Sequence, residues 1–203
     1  SLAKVDMQKV NTGETTEEDL LVLSDALLTL SDSKMYIDDS GNLSVADIRS
    51  RCRRQQTRYG LDLVIVDYLG LLQLGNKRGS LVADIAEATR ALKILAKELQ
   101  VPIMLLCQLS RGSESRKENG YRPILADLRD SGAIEQDADM VLLLYRKALA
   151  MRNRKDDSEY GGAPAEEIED NTAEVIVAKN RNGPLKTVNL AFQGMFSRFV
   201  NPS

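Results

Sequence analysis

Residues 61–108 read LDLVIVDYLGLLQLGNKRGSLVADIAEATRALKILAKELQVPIMLLCQ, and the hydrophobic period changes twice along them. Leu63-Val64-Ile65-Val66 is an unbroken apolar run of strand length, as expected of a strand buried on both faces. Asp67 ends it, and a polar loop from Gly75 to Gly79 carries Lys77 and Arg78. From Ser80 to Gln100 the apolar residues Leu81, Ile85, Ala88, Leu92, Leu95, Ala96 and Leu99 fall on one helical stripe. Pro102 then introduces a second strand-like run, Ile103 to Leu106. Strand, long helix, strand is the crossover unit of a parallel α/β fold.

The pattern extends in both directions. Upstream, Thr15 three residues before Glu18 predicts a capped helix with Leu20, Leu23, Leu27 and Leu30 on its apolar face. Met35-Tyr36-Ile37 reads as a short strand, closed by turn residues from Asp38 to Asn42. Ser44 to Asp47 is a second cap, opening a helix to about Tyr59 with its arginines along a solvent side. Downstream, Ser110 to Tyr121 is a polar loop, Ile134 to Asp139 a short helix, and Met140 to Tyr145 a third buried strand. An acidic loop spans Asp156 to Asn171. Glu174–Lys179, Thr187–Phe192 and Ser197–Val200 resemble short edge strands, with turns at Asn182-Gly183-Pro184 and Gly194.

Composition narrows the chemistry. The 203 residues suit one domain, or one domain with an arm, and aromatics at 4% with no Trp favour an aliphatic α/β core. A net charge of -3 means that any nucleic-acid contact must be local. Basic residues cluster at Arg51, Arg53, Arg54 and Arg58, and again at Arg111, Arg116, Lys117, Arg122 and Arg129. There is no His, which removes Ser-His-Asp and Cys-His catalysis and His-ligated zinc. Cys52 and Cys107 have no metal-type spacing, and a reducing, cytoplasmic setting is the simplest reading. The sequence holds no apolar run of bilayer length and no secretory signal pattern.

In open α/β sheets ligands gather at the carboxyl ends of the strands. Asp67 and Gln108 occupy those positions. Four apolar residues followed by an acid is what a Walker-B strand supplies, a carboxylate placed to order hydrated Mg²⁺; the same pattern also fits a turn former. A Gln amide can sense a phosphate or simply cap a loop.

Four segments taken together carry more. They are Val64 to Leu69, Leu106 to Arg111, Asp127-Leu128-Arg129-Asp130-Ser131-Gly132 running on to Asp139, and Ala178-Lys179-Asn180-Arg181-Asn182-Gly183-Pro184. With Tyr36-Ile37-Asp38-Asp39, the series resembles the C-terminal RecA-like motor domain of DnaB-type replicative helicases, over almost the whole chain. The resemblance implies an α/β, RecA-like P-loop NTPase fold, with a mostly parallel sheet flanked by helices and truncated at its N-terminal side. Within 1–203 it implies a helical lead-in (1–60), a Walker-B and DNA-loop core (61–150) and C-terminal edge strands with an arginine finger (173–203).

The same resemblance implies roles. Asp67 is the Walker-B acid for Mg²⁺ and ATP, and Gln108 couples the γ-phosphate state to the DNA loops. Arg129, Asp130 and Gly132 belong to the loop that holds the single-stranded DNA backbone, and Lys179 and Arg181 reach a neighbour's nucleotide, with Arg181 as the finger. The implied partners are single-stranded DNA, identical subunits in a hexamer, primase and a helicase loader, with no membrane involved.

The chain departs from the family in one respect. No Gly-x-x-x-x-Gly-Lys-Ser/Thr occurs in it. The resemblance places the P-loop, and the glutamate that activates the attacking water, upstream of Ser1 to Gly13. The chain is therefore expected to begin after both, to lack the primase-interaction domain, and to be inactive alone. The P-loop strand lies beside the Asp67 strand in the family, so a complete sheet is not expected from this chain by itself. A non-catalytic ring or interaction module with a degenerate RecA-like fold is the alternative. Asp67, Gln108, Arg129, Lys179 and Arg181 together favour the motor. A recombinase-like RecA relative is a third reading, against which Asp127 to Gly132 argues.

Overall fold

A computed structural model describes residues 2–74, 80–110, 121–150 and 171–202, and of 129–131 the backbone alone. The expected basic loops at Lys77–Arg78 and at Arg111, Arg116 and Lys117, and most of the acidic loop after Asp156, lie outside the described residues. The helices are α1 (Met7–Thr12), α2 (Glu17–Ser31), α3 (Val45–Tyr59), α4 (Leu81–Leu99) and α5 (Gly132–Asp137). The strands are β1 (Val64–Val66), β2 (Ile103–Leu105), β3 (Met140–Tyr145), β4 (Thr172–Asn180), β5 (Lys186–Gln193) and β6 (Arg198–Val200).

The chain divides into two compact units, interleaved in sequence. One comprises Ser1–Asp38, Leu144–Ile176 and Thr187–Ser203; the other comprises Asp39–Leu143 and Val177–Lys186. In the first, the Phe192 and Phe199 rings stand 4.9 Å apart, and the Arg146 guanidinium lies 3.5 Å from the Phe192 ring centre, a cation–π contact. Helix α1 ends where Gly13 takes φ of 76°, a left-handed conformation that costs a residue without Cβ nothing.

The second unit is organised on α4. Its buried stripe is Ile85, Ala88, Thr89, Leu92, Leu95 and Leu99. Leu95, 1% exposed, joins Leu99, Ile48 and Cys52 of α3, Val66 and Val101 in one cluster. Ile85 joins Leu69 and Ile134 in another. Glu98 ties α4 to α3 through Arg49, at 2.7 Å, and Arg53. Burial pulls the Glu98 carboxyl up, and the bonds and charges of those two arginines together outweigh it, leaving it below its ordinary value of 4.5.

Several expectations hold. Ser44 caps α3 in a box with Asp47: Asp47 N–H donates to Ser44 Oγ at 3.2 Å and Ser44 N–H to Asp47 Oδ2 at 3.0 Å. Ser80 and Gln100 bound α4, and β1 and β2 pair in parallel, Val64 beside Ile103 and Val66 beside Leu105. A helix is delimited by local chemistry, so these limits are legible in a linear reading.

Others are corrected. The first capping box is Thr16 with Asp19, one residue beyond Thr15 and Glu18, and Asp19 also faces Lys9 at 4.0 Å. Helix α2 buries no residue, and its leucine face is open. Met35–Ile37 is irregular and exposed, with Ile37 at 83%. β1, β2 and β3 are not covered on both faces. Ile65, Met104, Met140, Leu142 and Leu144 are exposed, and β3 alternates strictly between exposed and buried residues. The strands do not form one sheet: β1-β2 is one, and β3-β4-β5-β6 is another, in which β5 and β6 run antiparallel. β4 and β5 are thus interior strands of that sheet rather than edges.

Two outcomes follow from this packing. Leu95→Ala should lower unfolding stability in urea by about 3 kcal/mol, since it empties a sealed site. Leu81→Ala, on the same predicted stripe but 63% exposed, should change it by less than about 0.5 kcal/mol.

Acid should also destabilise the chain. Thr16 holds the Asp19 carboxyl, through its backbone and side chain, below the ordinary value of 3.8. Ser44 does the same for Asp47 through its side chain and backbone. Unfolded, these groups take up protons at ordinary carboxylate pH; folded, they resist until lower pH. The unfolded chain therefore binds more protons in that window. The contribution is complete above the ordinary value and fades as pH falls through the lowered one. Thermal melts should lose midpoint below about pH 4, and Asp47→Asn should show a smaller acid-dependent loss than the parent.

Candidate functional site

The parallel pairing of β1 and β2 brings Asp67 and Gln108 to the same end of one small sheet. Leu106 N–H donates to Val66 O at 3.0 Å, and Leu69 N–H to Leu106 O at 2.9 Å, so the pairing continues past both strands. Asp67 is exposed where β1 stops. Its carboxylate makes no hydrogen bond or ion pair with the described residues. The Tyr68 ring folds over Gly70, where a Cβ would come 2.5 Å from Cε2, so a larger residue there would have to push the half-exposed ring aside. Gly70 went unremarked in the sequence because nothing local announces the ring above it.

Gln108 is also exposed, three residues beyond β2. Two residues later Ser110 N–H donates to Asp127 O at 3.0 Å. Asp127 is 2% exposed, and its Oδ2 accepts from Ile124 N–H at 2.8 Å. The chain end carrying Gln108 is thereby bonded to the start of the 3-10 segment Leu125–Ser131, whose backbone carries Arg129 and Asp130. Gly132 opens α5 directly after it. The side chains of Arg129 and Asp130 lie outside the described residues. Asp127 was visible only as part of a motif; its burial is a tertiary fact.

Lys179, near the end of β4, and Arg181, just past it, both turn to the C-terminal end of α5. Lys179 Nζ donates to Glu135 O and, at 3.5 Å, to Gln136 O. Arg181 Nη2 donates to Gln136 O. Arg181 N–H donates to Asp139 O at 2.9 Å, and Arg181 Nη1 stands 3.6 Å from Asp139 Oδ1. Cations at a helix C-terminus meet carbonyls that have no partner within the helix. Lys93 of α4 pairs with Asp139, and its hydrogen bond holds that carboxyl below its ordinary value of 3.8. Burial opposes this, while the charges of Lys93, Arg181 and Lys97 add to it. Thr89 Oγ1 donates to Asp137 Oδ2 at 2.7 Å, so α4 holds the last residue of α5 and, through Lys93, the residue two beyond it.

The structure therefore forms two constellations. Among the described residues no hydrogen bond or ion pair joins Asp67 or Gln108 to Lys179 or Arg181. No group of three acidic or thiol side chains that could cage a metal occurs among the described residues. A lone carboxylate suits Mg²⁺ all the same, because that ion keeps most of its waters and is held mainly through phosphate. Burial raises the Cys52 and Cys107 thiols, which argues against either acting as a nucleophile. No helix among the described residues is long and apolar enough to cross a membrane.

Known proteins of similar sequence and fold identify the family. The chain is 44% identical over 199 residues to the replicative DNA helicase DnaB of Leifsonia xyli, covering 98% of this chain and 40% of that protein. It is 42% identical over 198 residues to the replicative DNA helicase DnaC of Bacillus subtilis, covering 97% of this chain and 40% of that protein. The chain thus spans about two fifths of the length of the curated relatives it matches. Among solved structures, an ATPase domain superposes with a TM-score of 0.83 at 36% identity, over 100% of this chain and 67% of that one. A DnaB-like replicative helicase, solved in a study of its interactions with primase, superposes at 0.82 and 36% identity, over 100% of this chain and 47% of that one. The fold is α/β and RecA-like, as the motif series implied. The family model for the DnaB-like helicase C-terminal domain matches residues 1–201, and the chain belongs to that family.

Proposed function

We propose that this chain is the motor portion of an ATP-dependent replicative DNA helicase, which unwinds duplex DNA by moving on single-stranded DNA as a homo-hexameric ring. The observation that carries the reading is the parallel β1-β2 pair, with an exposed Asp67, without a partner among the described residues, at one strand end and Gln108 beyond the other. A carboxylate and an amide so placed can face one triphosphate from the sheet edge.

In this reading residues 1–60 lead into the motor, 61–150 carry the acid and the DNA loop, and 173–203 carry the finger. Asp67 holds the water shell of a Mg²⁺ ion, which when bound neutralises charge on the β- and γ-phosphates. Gln108 senses the γ-phosphate, and its bonded connection through Ser110 to Asp127 gives that signal a route to the 3-10 segment. Arg129, Asp130 and Gly132 hold the single-strand backbone without reading bases, as a translocating motor requires. Lys179 and Arg181 act on the nucleotide of the adjacent subunit, Arg181 meeting charge that gathers in the transition state. The reading also includes a cytoplasmic setting, a helicase loader and primase as partners, and inactivity of these 203 residues alone, which contain no phosphate-cradling Gly-Lys-Ser/Thr loop.

Two measurements test it. ATP hydrolysis with single-stranded DNA should be absent from this chain and present in the full-length gene product; activity of this chain by itself would contradict the reading. In the full-length protein, Asp67→Ala and Arg181→Ala should each cut turnover by about 10³-fold, the scale of losing an arginine finger. Rings assembled from a mixture of the two variants should regain turnover, because some interfaces then pair an intact Asp67 with an intact Arg181. No regain would place both residues in one subunit's site.

A further inference from the structure

Lys179 and Arg181 are not free in this structure. Their ammonium and guanidinium groups are spent on Glu135 O and Gln136 O, and Asp139 holds Arg181 through both its backbone carbonyl and its carboxylate. Asp139 is itself fixed by Lys93 of α4. The helix so capped is short, Gly132–Asp137, and follows the 3-10 segment without a break. With so few internal bonds, α5 depends on what satisfies its last carbonyls.

Building on the functional reading above, we propose that Asp139 and the C-terminal carbonyls of α5 form a seat that positions Lys179 and Arg181, and that a neighbour's triphosphate competes with this seat for the two cations. The physical basis is that one set of N–H donors cannot satisfy both acceptors. The neutral carbonyls are weaker acceptors than phosphate oxygens, and the one carboxylate of the seat is shared with Lys93, so a correctly placed triphosphate with several charged oxygens wins. The α5 C-terminus then loses its two cations, and the loosened helix is the one joined directly to the segment carrying Arg129 and Asp130. Asp139 is a positioning residue here. Its attachment to Lys93 keeps Arg181 near the helix end rather than loose in solvent, so the cation has one defined starting point.

The test is hydrogen–deuterium exchange of peptides covering 132–139 in the full-length gene product, with and without Mg²⁺ and a non-hydrolysable ATP analogue whose binding is followed separately by titration. The Ala138 amide, which donates to Ile134 O at 2.9 Å, is the reporter. Exchange should be slow without the analogue and about tenfold faster with it, the scale of losing cations at a helix end. Arg181→Ala should exchange fast in both conditions. Asp139→Asn should raise the basal exchange, narrow the analogue-dependent difference and lower kcat with little change in KM for ATP, while Asp139→Glu restores part of the difference. A merely structural role would not make exchange depend on nucleotide. Tight analogue binding with unchanged or slower exchange at 132–139 overturns the seat and leaves the helicase reading standing. Failure of the analogue to bind overturns that reading, and this one with it.

Discussion

Burial of the α4 stripe is the constraint on which the rest of its unit depends. Leu95 and Leu99 share one cluster with Ile48 and Cys52 of α3, Val66 of β1, and Val101, which precedes β2. Sealing side chains of this size contributes roughly 2 kcal/mol each. Val64, Ile103 and Leu105 pack against the same cluster, so the contact holds β1 and β2, which lead to Asp67 and Gln108, beside α4. Farther toward its N-terminus the same helix supplies Ile85 to the cluster with Ile134, and Thr89 and Lys93 to Asp137 and Asp139. One helix therefore locates both the sheet edge and α5.

Other elements have surfaces of a different kind. β3 buries Val141, Leu143 and Tyr145 and exposes Met140, Leu142 and Leu144. Ile65 and Met104 are exposed on β1 and β2, and α2 exposes Leu20, Leu21, Leu27 and Leu28. An all-apolar strand suits cover on both sides, and a helix with a broad leucine face suits cover on that face. These segments have compositions for more contact than they make in this structure, whereas α4 has a polar face to match its apolar one.

Polar connections do the remaining organising. Buried Asp127 links the end of the Gln108 segment to the 3-10 segment, and the carbonyls of Glu135 and Gln136 gather Lys179 and Arg181. Each is a case of backbone groups finding side-chain or loop partners where regular structure ends. The acids do not act alone: Asp139 shares its carboxylate among Lys93 and Arg181, with Lys97 near enough to be felt. Polar junctions of this type have defined geometry, and so can hold alternative bonding states that an apolar contact does not.

The sequence by itself determined the features that local chemistry controls. Ser44 with Asp47 delimits the start of α3 because a capping box acts on the nearest turn, and Ser80 and Gln100 flank α4, with Gln100 in the left-handed conformation that closes it. The crossover from Leu63 to Leu106 specified a parallel pair, and the motif series from Asp127 and from Ala178 specified the family. What tertiary structure alone decided was coverage and company. Val66 is buried and Ile65 exposed within the same apolar run; Leu95 is sealed and Leu81 open on the same stripe; Met35–Ile37 makes no strand although its residues favour one. Burial and strand pairing need a partner from elsewhere in the chain, and a linear pattern states the need without stating whether it is met. The gathering of Lys179 and Arg181 onto carbonyls more than forty residues earlier in the chain has the same origin. Backbone carbonyls carry no residue identity, so no reading of side chains could have pointed to them.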